Sequence, residues 1–228
     1  MTDSSNTNDN TEVAEADDTP VFSRRNMITA VCMGAGFAVL LIVSFVASQI
    51  IGKPFYEVTA LKPDSNNHLV NILTFPFAHL NIAHLISNLL PMTVLLMAMG
   101  LKHARETVIA LIGGLIFSGF GVWLFENPDN YVIGASGILA STAIYALYVG
   151  IRDRAIVPGF IGSGIILITG ASILTAQEGT SIIAHVSGLA SGVALVLVSL
   201  AYRLITRQPS PSADTRLPAS GTGTSPSA

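Results

Sequence analysis

Charged residues are almost absent from the middle of this chain. Of the 25 charged residues in the 228-residue sequence, eight lie in the first 25 positions and three follow position 205, which leaves 14 for positions 26–205. Soluble domains carry charge at about 25% of positions, whereas this chain is 11% charged and 50% hydrophobic. Long uncharged apolar stretches of this kind indicate membrane-spanning helices. The net charge of −3, with no Lys/Arg-rich run, argues against a nucleic-acid partner.

Six apolar stretches have the length of membrane spans, since about 20 helical residues cross roughly 30 Å of hydrocarbon. They are residues 27–51, 84–101, 107–125, 134–151, 155–176 and 181–204. The fourth stretch is short, because about 17 residues at 1.5 Å per residue reach only about 25 Å. We therefore predict an all-α, polytopic membrane protein of six transmembrane helices, with one end of the fourth helix inside the membrane thickness.

Lysine and arginine are concentrated on the cytoplasmic side of membrane proteins. In a six-span topology, nine of the 11 basic residues fall on one side, and only Lys53 and Lys62 fall on the other. This asymmetry predicts cytoplasmic termini and fits a bacterial plasma membrane. The polar stretches 1–26 and 206–228 are predicted to be disordered cytoplasmic tails that flank a membrane domain over residues 27–205.

The connection between the first two spans, residues 52–83, is long and rich in large apolar side chains. They are Phe55, Tyr56, Leu61, Leu69, Ile72, Phe75 and Phe77. A plain loop would expose these side chains to water. The pattern therefore favours a structured element in or on the outer leaflet, with a plain loop as the alternative.

Polar side chains inside a membrane are costly and usually have partners or functions. Four of them lie near the starts of the second, fourth and sixth spans: His84, Asn88, Ser136 and His185. In the predicted topology these three spans run in the same direction, so the four residues share one depth in the outer leaflet. A serine, two histidines and an asparagine at one depth are what a nucleophile, a base and two oxyanion donors require.

Each residue type suits one of these roles. The hydroxyl of Ser136 is a weak nucleophile that needs a base, and His185 is a side chain able to serve at neutral pH. No Asp or Glu lies inside a predicted span to orient the histidine, so the sequence indicates a Ser–His dyad. Ser136 opens a helix, where free N–H groups favour developing negative charge. Asn88 and His84 can add N–H donors.

Small residues allow the two helices to approach each other closely. Gly188 and Gly192 form a small-residue face on the sixth span, and Ser136 shares a similar face with Ala140 on the fourth. Helix packing alone is the alternative reason for these glycines. Taken singly, a serine in a span usually bonds its own helix, and the chain contains several more: Ser44, Ser118, Ser163, Ser172, Ser191 and Ser199.

A metal site is the rival use of the histidines. His79 and His84 are five residues apart, which does not place them on one helix face. No His-Glu-x-x-His pair and no carboxylate ligand accompany them within a span. The sequence therefore predicts neither a metal nor a cofactor.

Three short motifs on the second, fourth and sixth spans carry a family resemblance. They are His79-x4-His84-x3-Asn88, Gly134-x-Ser136-Gly137 and Ala184-His185-x2-Gly188-x3-Gly192. In order and spacing they resemble the signature of the rhomboid intramembrane serine proteases. The resemblance covers roughly residues 27–204. One departure is Ala140, one turn after the serine, where many bacterial members carry a tyrosine stacked on the catalytic histidine.

The resemblance implies a six-helix rhomboid-like fold and a role for each motif residue. Ser136 would be the nucleophile and His185 the general base, while His84, Asn88 and the Ser136 backbone N–H would form the oxyanion hole. The resemblance gives His79 a supporting position, together with the motif glycines Gly134, Gly137, Gly188 and Gly192. It implies no cofactor.

The expected function is that of a serine endopeptidase that cleaves transmembrane helices near the outer membrane face. Its partners would be the lipid bilayer and single-pass membrane proteins as substrates, with the oligomeric state left open. One alternative is a catalytically inactive rhomboid-like protein that binds or escorts membrane proteins. A second alternative is a small transporter, for which polar groups near the bilayer midplane are expected.

Overall fold

The computed structural model of this chain describes residues 21–63, 66–175 and 181–206. Most of the two predicted tails, at positions 1–20 and 207–228, lies outside the described residues. The first helix begins at Arg24, three residues before the predicted start of the membrane domain, because Ser23 caps it by accepting a hydrogen bond from the Asn26 N–H. The last described helix ends at Thr206.

The described residues form seven α-helices and two short 3-10 helices. The α-helices are α1 Arg24–Ile51, α2 Lys53–Thr59, α3 Ile82–Gly100, α4 Ala104–Phe125, α5 Ser136–Arg152, α6 Ile156–Thr175 and α7 Ile182–Thr206. The 3-10 helices are Asn66–Leu73 and Phe75–Phe77. Within the described ranges, the β-structure is limited to an isolated bridge between Leu61 and Val132. The all-α prediction is therefore confirmed.

Each of the six predicted spans corresponds to one α-helix, with ends that differ by at most three residues. Five helices, α1, α3, α4, α6 and α7, are long and apolar enough to cross a membrane. The 17-residue α5 is apolar but shorter than these five. At 1.5 Å per residue it spans about 25 Å, so the predicted short fourth span is also present. The fold is that of an integral, multi-pass membrane protein.

The short helix α5 lies at the centre of the bundle. Its neighbours are α3, α4, α6 and α7. Residues on all sides of α5 are buried, including Leu139, Thr142 and Val149. The surrounding helices instead expose large apolar side chains such as Leu167 and Leu197. A buried central helix within an apolar outer surface is the arrangement expected in hydrocarbon, where packing rather than water exclusion holds helices together.

The connection between α1 and α3 is a structured element, as predicted. It contains α2 and both 3-10 helices, and three of its predicted apolar residues, Leu61, Ile72 and Phe75, are buried. Its backbone is tied to the α4–α5 connection. Leu61 and Val132 exchange two N–H···O bonds of 2.9 Å, and Gly134 N–H donates to Phe75 O at 2.9 Å. Its position relative to the outer leaflet stays a prediction.

A charged cluster lies at the end of α5 that is distant from Ser136. Arg152 donates two hydrogen bonds to Glu106, at 2.7 and 2.9 Å, and also pairs with Asp153. The hydrogen bond from Arg152 holds the pKa of Asp153 below its ordinary value. Ligand atoms of His103, Glu106 and Asp153 lie within 4.8 Å of one another. The Arg152 guanidinium already satisfies both carboxylates and opposes a cation there, so the cluster is an interhelical tie between α4 and α5.

Candidate active site

The three predicted site helices, α3, α5 and α7, differ in whether a side chain caps the N-terminus. Asn81 caps α3 by accepting from the His84 N–H at 2.8 Å, and Ser181 caps α7 by accepting from the Ala184 N–H at 2.9 Å. No side chain caps α5, whose first residue is Ser136. An α-helix leaves its first backbone N–H groups without partners along the helix. The start of α5 therefore keeps N–H donors available beside the serine hydroxyl.

The turn before Ser136 requires a glycine. Gly134 has a φ of 107°, a left-handed conformation that L-residues with a Cβ rarely adopt. A Cβ at this position would also lie 2.6 Å from Nε2 of His84. The imidazole of His84 therefore packs directly on the backbone of Gly134, two residues before Ser136. Ser136 itself is half-buried, and its Oγ makes no hydrogen bond to any described residue.

Helices α5 and α7 are in backbone contact next to the predicted nucleophile and base. A Cβ on Gly188 would lie 2.8 Å from Cα of Gly137. A Cβ on Gly137 would lie 3.1 Å from the Ala184 carbonyl oxygen. Gly137 follows Ser136 and Ala184 precedes His185, so the two predicted residues lie beside a close contact between their helices. Oγ of Ser136 and the His185 ring are not hydrogen-bonded in this structure, and unliganded active sites often have such open geometry.

The contact between α5 and α7 continues one turn further along both helices. A Cβ on Gly192 would lie 2.7 Å from the Ser141 carbonyl oxygen. Gly188 and Gly192 therefore both face α5, as their spacing of four residues on one helix face requires. Ala140, one turn after Ser136 on α5, is fully buried. Its methyl group supplies neither an aromatic ring nor a hydrogen bond to the site.

Asn88 and His84 lie one turn apart on α3. The Asn88 side chain is only 2% exposed, and its Nδ2 donates to the His84 carbonyl oxygen at 2.9 Å. An amide nitrogen has two hydrogens, so one N–H of Asn88 is left for a further acceptor. The His84 ring packs on Gly134, two residues before Ser136, and Ala184, next to His185, packs on Gly137, the residue after Ser136. The structure thus brings His84, Ser136 and His185 to one end of the bundle.

His79 lies behind His84 rather than in the open part of the site. Its side chain is fully buried, and its ring contacts the His84 ring at a centroid distance of 5.0 Å with a 64° interplanar angle. The Tyr56 hydroxyl donates to the His79 carbonyl oxygen at 3.0 Å. Burial out of water, reinforced by the neighbouring His84, lowers the pKa of His79 to about 4. His79 is therefore neutral at pH 7 and supports the His84 ring by packing.

This buried neutral histidine predicts an acid-sensitive fold. The pKa of His79 is about 4 in the folded protein against an ordinary 6.5. The His79 imidazole therefore binds a proton more tightly in the unfolded chain than in the folded protein. The contribution of neutral His79 to the free energy of unfolding is fully present above pH 6.5 and is lost as the pH falls towards 4. Between pH 8 and pH 5 the free energy of unfolding should fall by about 2 kcal/mol through His79. The phenylalanine variant His79→Phe, of similar ring shape, should lose less.

Thermal unfolding in detergent at pH 8 and pH 5 measures this difference. The melting temperature of the parent protein should fall further on acidification than that of His79→Phe. The two proteins differ only at position 79, so the comparison isolates His79. Equal falls for parent and variant would contradict the prediction.

Sequence reasoning did not separate Ser172 from the other serines in the spans. Oγ of Ser172, on α6, lies 3.1 Å from Nδ1 of His185 and 2.8 Å from the Thr169 carbonyl oxygen. The backbone contact to Thr169 is the kind that was expected for all these serines. A signal was nevertheless present, because consecutive spans alternate in direction. The end of the fifth span and the start of the sixth therefore share one side of the membrane.

A cavity of about 620 Å³ opens at the same end of the bundle. It lies between the α4–α5 connection and the first turn of α7, and its lining includes Tyr131, Ile133, Ile182 and Ile183. Ile133 directly precedes Gly134, and Ile183 lies two residues before His185. The cavity is therefore next to the site along both chain segments, although Ser136 is not part of its lining.

Comparison with known proteins places this geometry in a family. A sequence model of the Rhomboid domain matches residues 66–202. The chain belongs to the rhomboid family. The match begins at the first 3-10 helix and ends within α7, so it includes every residue of the candidate site, whereas α1 and α2 precede it.

Related sequences are found in mycobacteria. One uncharacterized protein of Mycobacterium bovis and two of Mycobacterium tuberculosis are each 28% identical to this rhomboid over 169 residues. The aligned segment covers 69% of this chain and 70% of each relative. Sequence similarity therefore extends over most of this chain and most of each relative.

Proposed function

We propose that this rhomboid-family protein is an intramembrane serine endopeptidase. The observation that supports the proposal is the backbone contact of Gly188 with Gly137, the residue after Ser136, together with the contact of Gly137 with Ala184, the residue before His185. A nucleophilic hydroxyl and an imidazole base on adjoining helices are the minimum requirement for acyl transfer to serine. Membership of a family of intramembrane proteases supports the same reading.

In the proposed mechanism, Oγ of Ser136 attacks a peptide carbonyl while His185 takes the hydroxyl proton. The negative charge that develops on the carbonyl oxygen is stabilised by N–H donors at the uncapped start of α5. The His84 ring and the remaining Asn88 N–H add donors from α3. His185 then gives its proton to the leaving amine, and a water molecule hydrolyses the acyl-enzyme by the reverse sequence.

The proposed substrates are the transmembrane helices of single-pass membrane proteins. A helix hides its backbone carbonyls in hydrogen bonds, so a substrate must unwind locally before Ser136 can attack. Helix-weakening glycine, proline or polar residues near the cut are therefore expected preferences. The distribution of basic residues outside the spans supports cytoplasmic termini and a cut near the outer face. A bacterial plasma membrane is the proposed location.

A fluorophosphonate probe tests the proposal without knowledge of the natural substrate. The purified protein in detergent should be phosphonylated at Ser136, which mass spectrometry of the labelled peptide identifies. Only a serine with an adjacent base and oxyanion donors reacts readily with such probes. As a control, protein that has been unfolded in detergent should not react with the probe. Failure of the folded protein to label would favour the rhomboid-like binding or escort function instead.

A further inference from the structure

The hydroxyl of Ser172 makes two contacts that together determine its direction of donation. Its Oγ lies 2.8 Å from the Thr169 carbonyl oxygen and 3.1 Å from Nδ1 of His185. A serine hydroxyl has one hydrogen to donate and two lone pairs to accept with, whereas a carbonyl oxygen only accepts. The single hydrogen therefore goes to Thr169, and the lone pairs of Oγ are left for His185.

This arrangement selects one form of the His185 ring. An acceptor opposite Nδ1 favours the neutral imidazole that carries its hydrogen on Nδ1, since that nitrogen can then donate. The second nitrogen, Nε2, then holds a free lone pair. The opposite form would set two lone pairs against each other at 3.1 Å. Its Nε2 would carry a hydrogen and be unable to accept the proton of Ser136.

We propose that Ser172 is a positioning residue that holds His185 in its Nδ1–H form, with Nε2 free to act as the base. This inference rests on the proposed function of the same site. Within the described residues, Ser172 is the hydrogen-bond partner of the His185 ring. Ala140, on the facing helix α5, is an alanine and offers the ring no polar contact. In this protein α6 therefore supplies the orientation that an acidic residue supplies in a catalytic triad.

The chain offers a matched control on the same helix. Ser163 donates to the Gly159 carbonyl oxygen at 2.8 Å, one turn away along α6, as Ser172 does to Thr169. Ser163 makes no hydrogen bond to His185 in the described structure. Ser163→Ala and Ser172→Ala thus remove the same kind of helix contact, and only the second removes the contact to the histidine.

Kinetics with a single-span reporter substrate in detergent test the proposal. Ser172→Ala should lower kcat by roughly 10–100-fold, the range found when a group that orients a metal-binding histidine is removed, while KM stays unchanged. Ser172→Thr keeps the hydroxyl and should restore most of kcat, and Ser163→Ala should match the parent. A Ser172→Ala variant with parental kcat would overturn the proposal. So would a Ser172→Thr variant as impaired as Ser172→Ala, since that result indicates packing alone.

A second measurement is independent of proteolysis. The ¹⁵N NMR spectrum of histidine-labelled protein distinguishes protonated from unprotonated ring nitrogens, and His185→Asn identifies the signals of His185. The Nδ1–H form should dominate in the parent and lose its dominance in Ser172→Ala. A predominant Nε2–H form in the parent would overturn the proposal whether or not the protein cleaves substrates. Absence of cleavage together with the Nδ1–H form would instead count against the proposed function alone.

Discussion

Replacing Ser136 with alanine is expected to lower the cleavage rate of a single-span reporter substrate by at least about 10³-fold. Alanine has no hydroxyl to attack the peptide carbonyl, so the acyl-enzyme cannot form. His185→Asn should cause a comparable loss, because the hydroxyl is a poor nucleophile without its base. Since the two residues act as one unit, the double variant should be no slower than either single variant. Gel analysis of reporter cleavage in detergent measures all three rates.

Ser141 provides the matched control for this prediction. It lies on the same helix, its side chain is fully buried, and its Oγ has no hydrogen-bond partner among the described residues. Ser141→Ala removes a hydroxyl of the same type and should leave the cleavage rate and the melting temperature close to those of the parent. Cleavage by Ser136→Ala at the parental rate would refute Ser136 as the nucleophile. Loss in both serine variants would point to damage to α5 rather than to the chemistry.

Gly188→Ala is expected to impair both the stability and the activity of the protein. The added Cβ would lie 2.8 Å from Cα of Gly137, a backbone atom that no side-chain rotation can move. Helices α5 and α7 must therefore separate, and overpacking of this kind typically costs about 1–3 kcal/mol of unfolding free energy. The separation also moves His185 away from Ser136. A displacement of about 1 Å at a reacting pair can lower the rate by about 10²-fold.

A second glycine-to-alanine variant shows whether the loss of stability and activity in Gly188→Ala comes from the contact between α5 and α7. Gly164 lies on α6, and a Cβ added there would have no atom within 4 Å. Gly164→Ala should raise the melting temperature slightly, since alanine in an open helix position is more stable than glycine by roughly 0.5–1 kcal/mol. Melting curves and reporter cleavage of both variants in one detergent decide the matter. A Gly188→Ala protein with parental activity would show that the close approach of α5 and α7 is not required.

The membrane helices were predictable because one physical requirement dominates them. A span must be apolar over a length set by the hydrocarbon, so hydropathy and charge located all six helices to within three residues. The shortness of α5 followed from the same arithmetic. The connection between α1 and α3 was predicted to be structured only because its apolar residues needed burial. Its α2 helix and two 3-10 helices were not predicted individually, since short elements depend on tertiary contacts.

Placement of the site residues was predictable only in part. Spans that run in one direction bring His84, Ser136 and His185 to one end of the bundle, and the small residues Gly188 and Gly192 indicated a close helix contact. Side-chain partners required the rotation of each helix about its own axis. The contact between Ser172 and His185 depends on the rotation of α6, and no periodic pattern in a helix that is apolar on nearly every face defines that angle.

The paired backbone hydrogen bonds between Leu61 and Val132 do not depend on the side chains of these two residues. Main-chain atoms are the same in nearly every amino acid, so substitutions at these two positions leave the link intact unless proline removes the N–H donor. These main-chain hydrogen bonds hold the segment before Ser136 against the connection between α1 and α3, whatever side chains the two residues carry. Side chains in that region can therefore change in sequence while the main-chain link to the segment before Ser136 is kept.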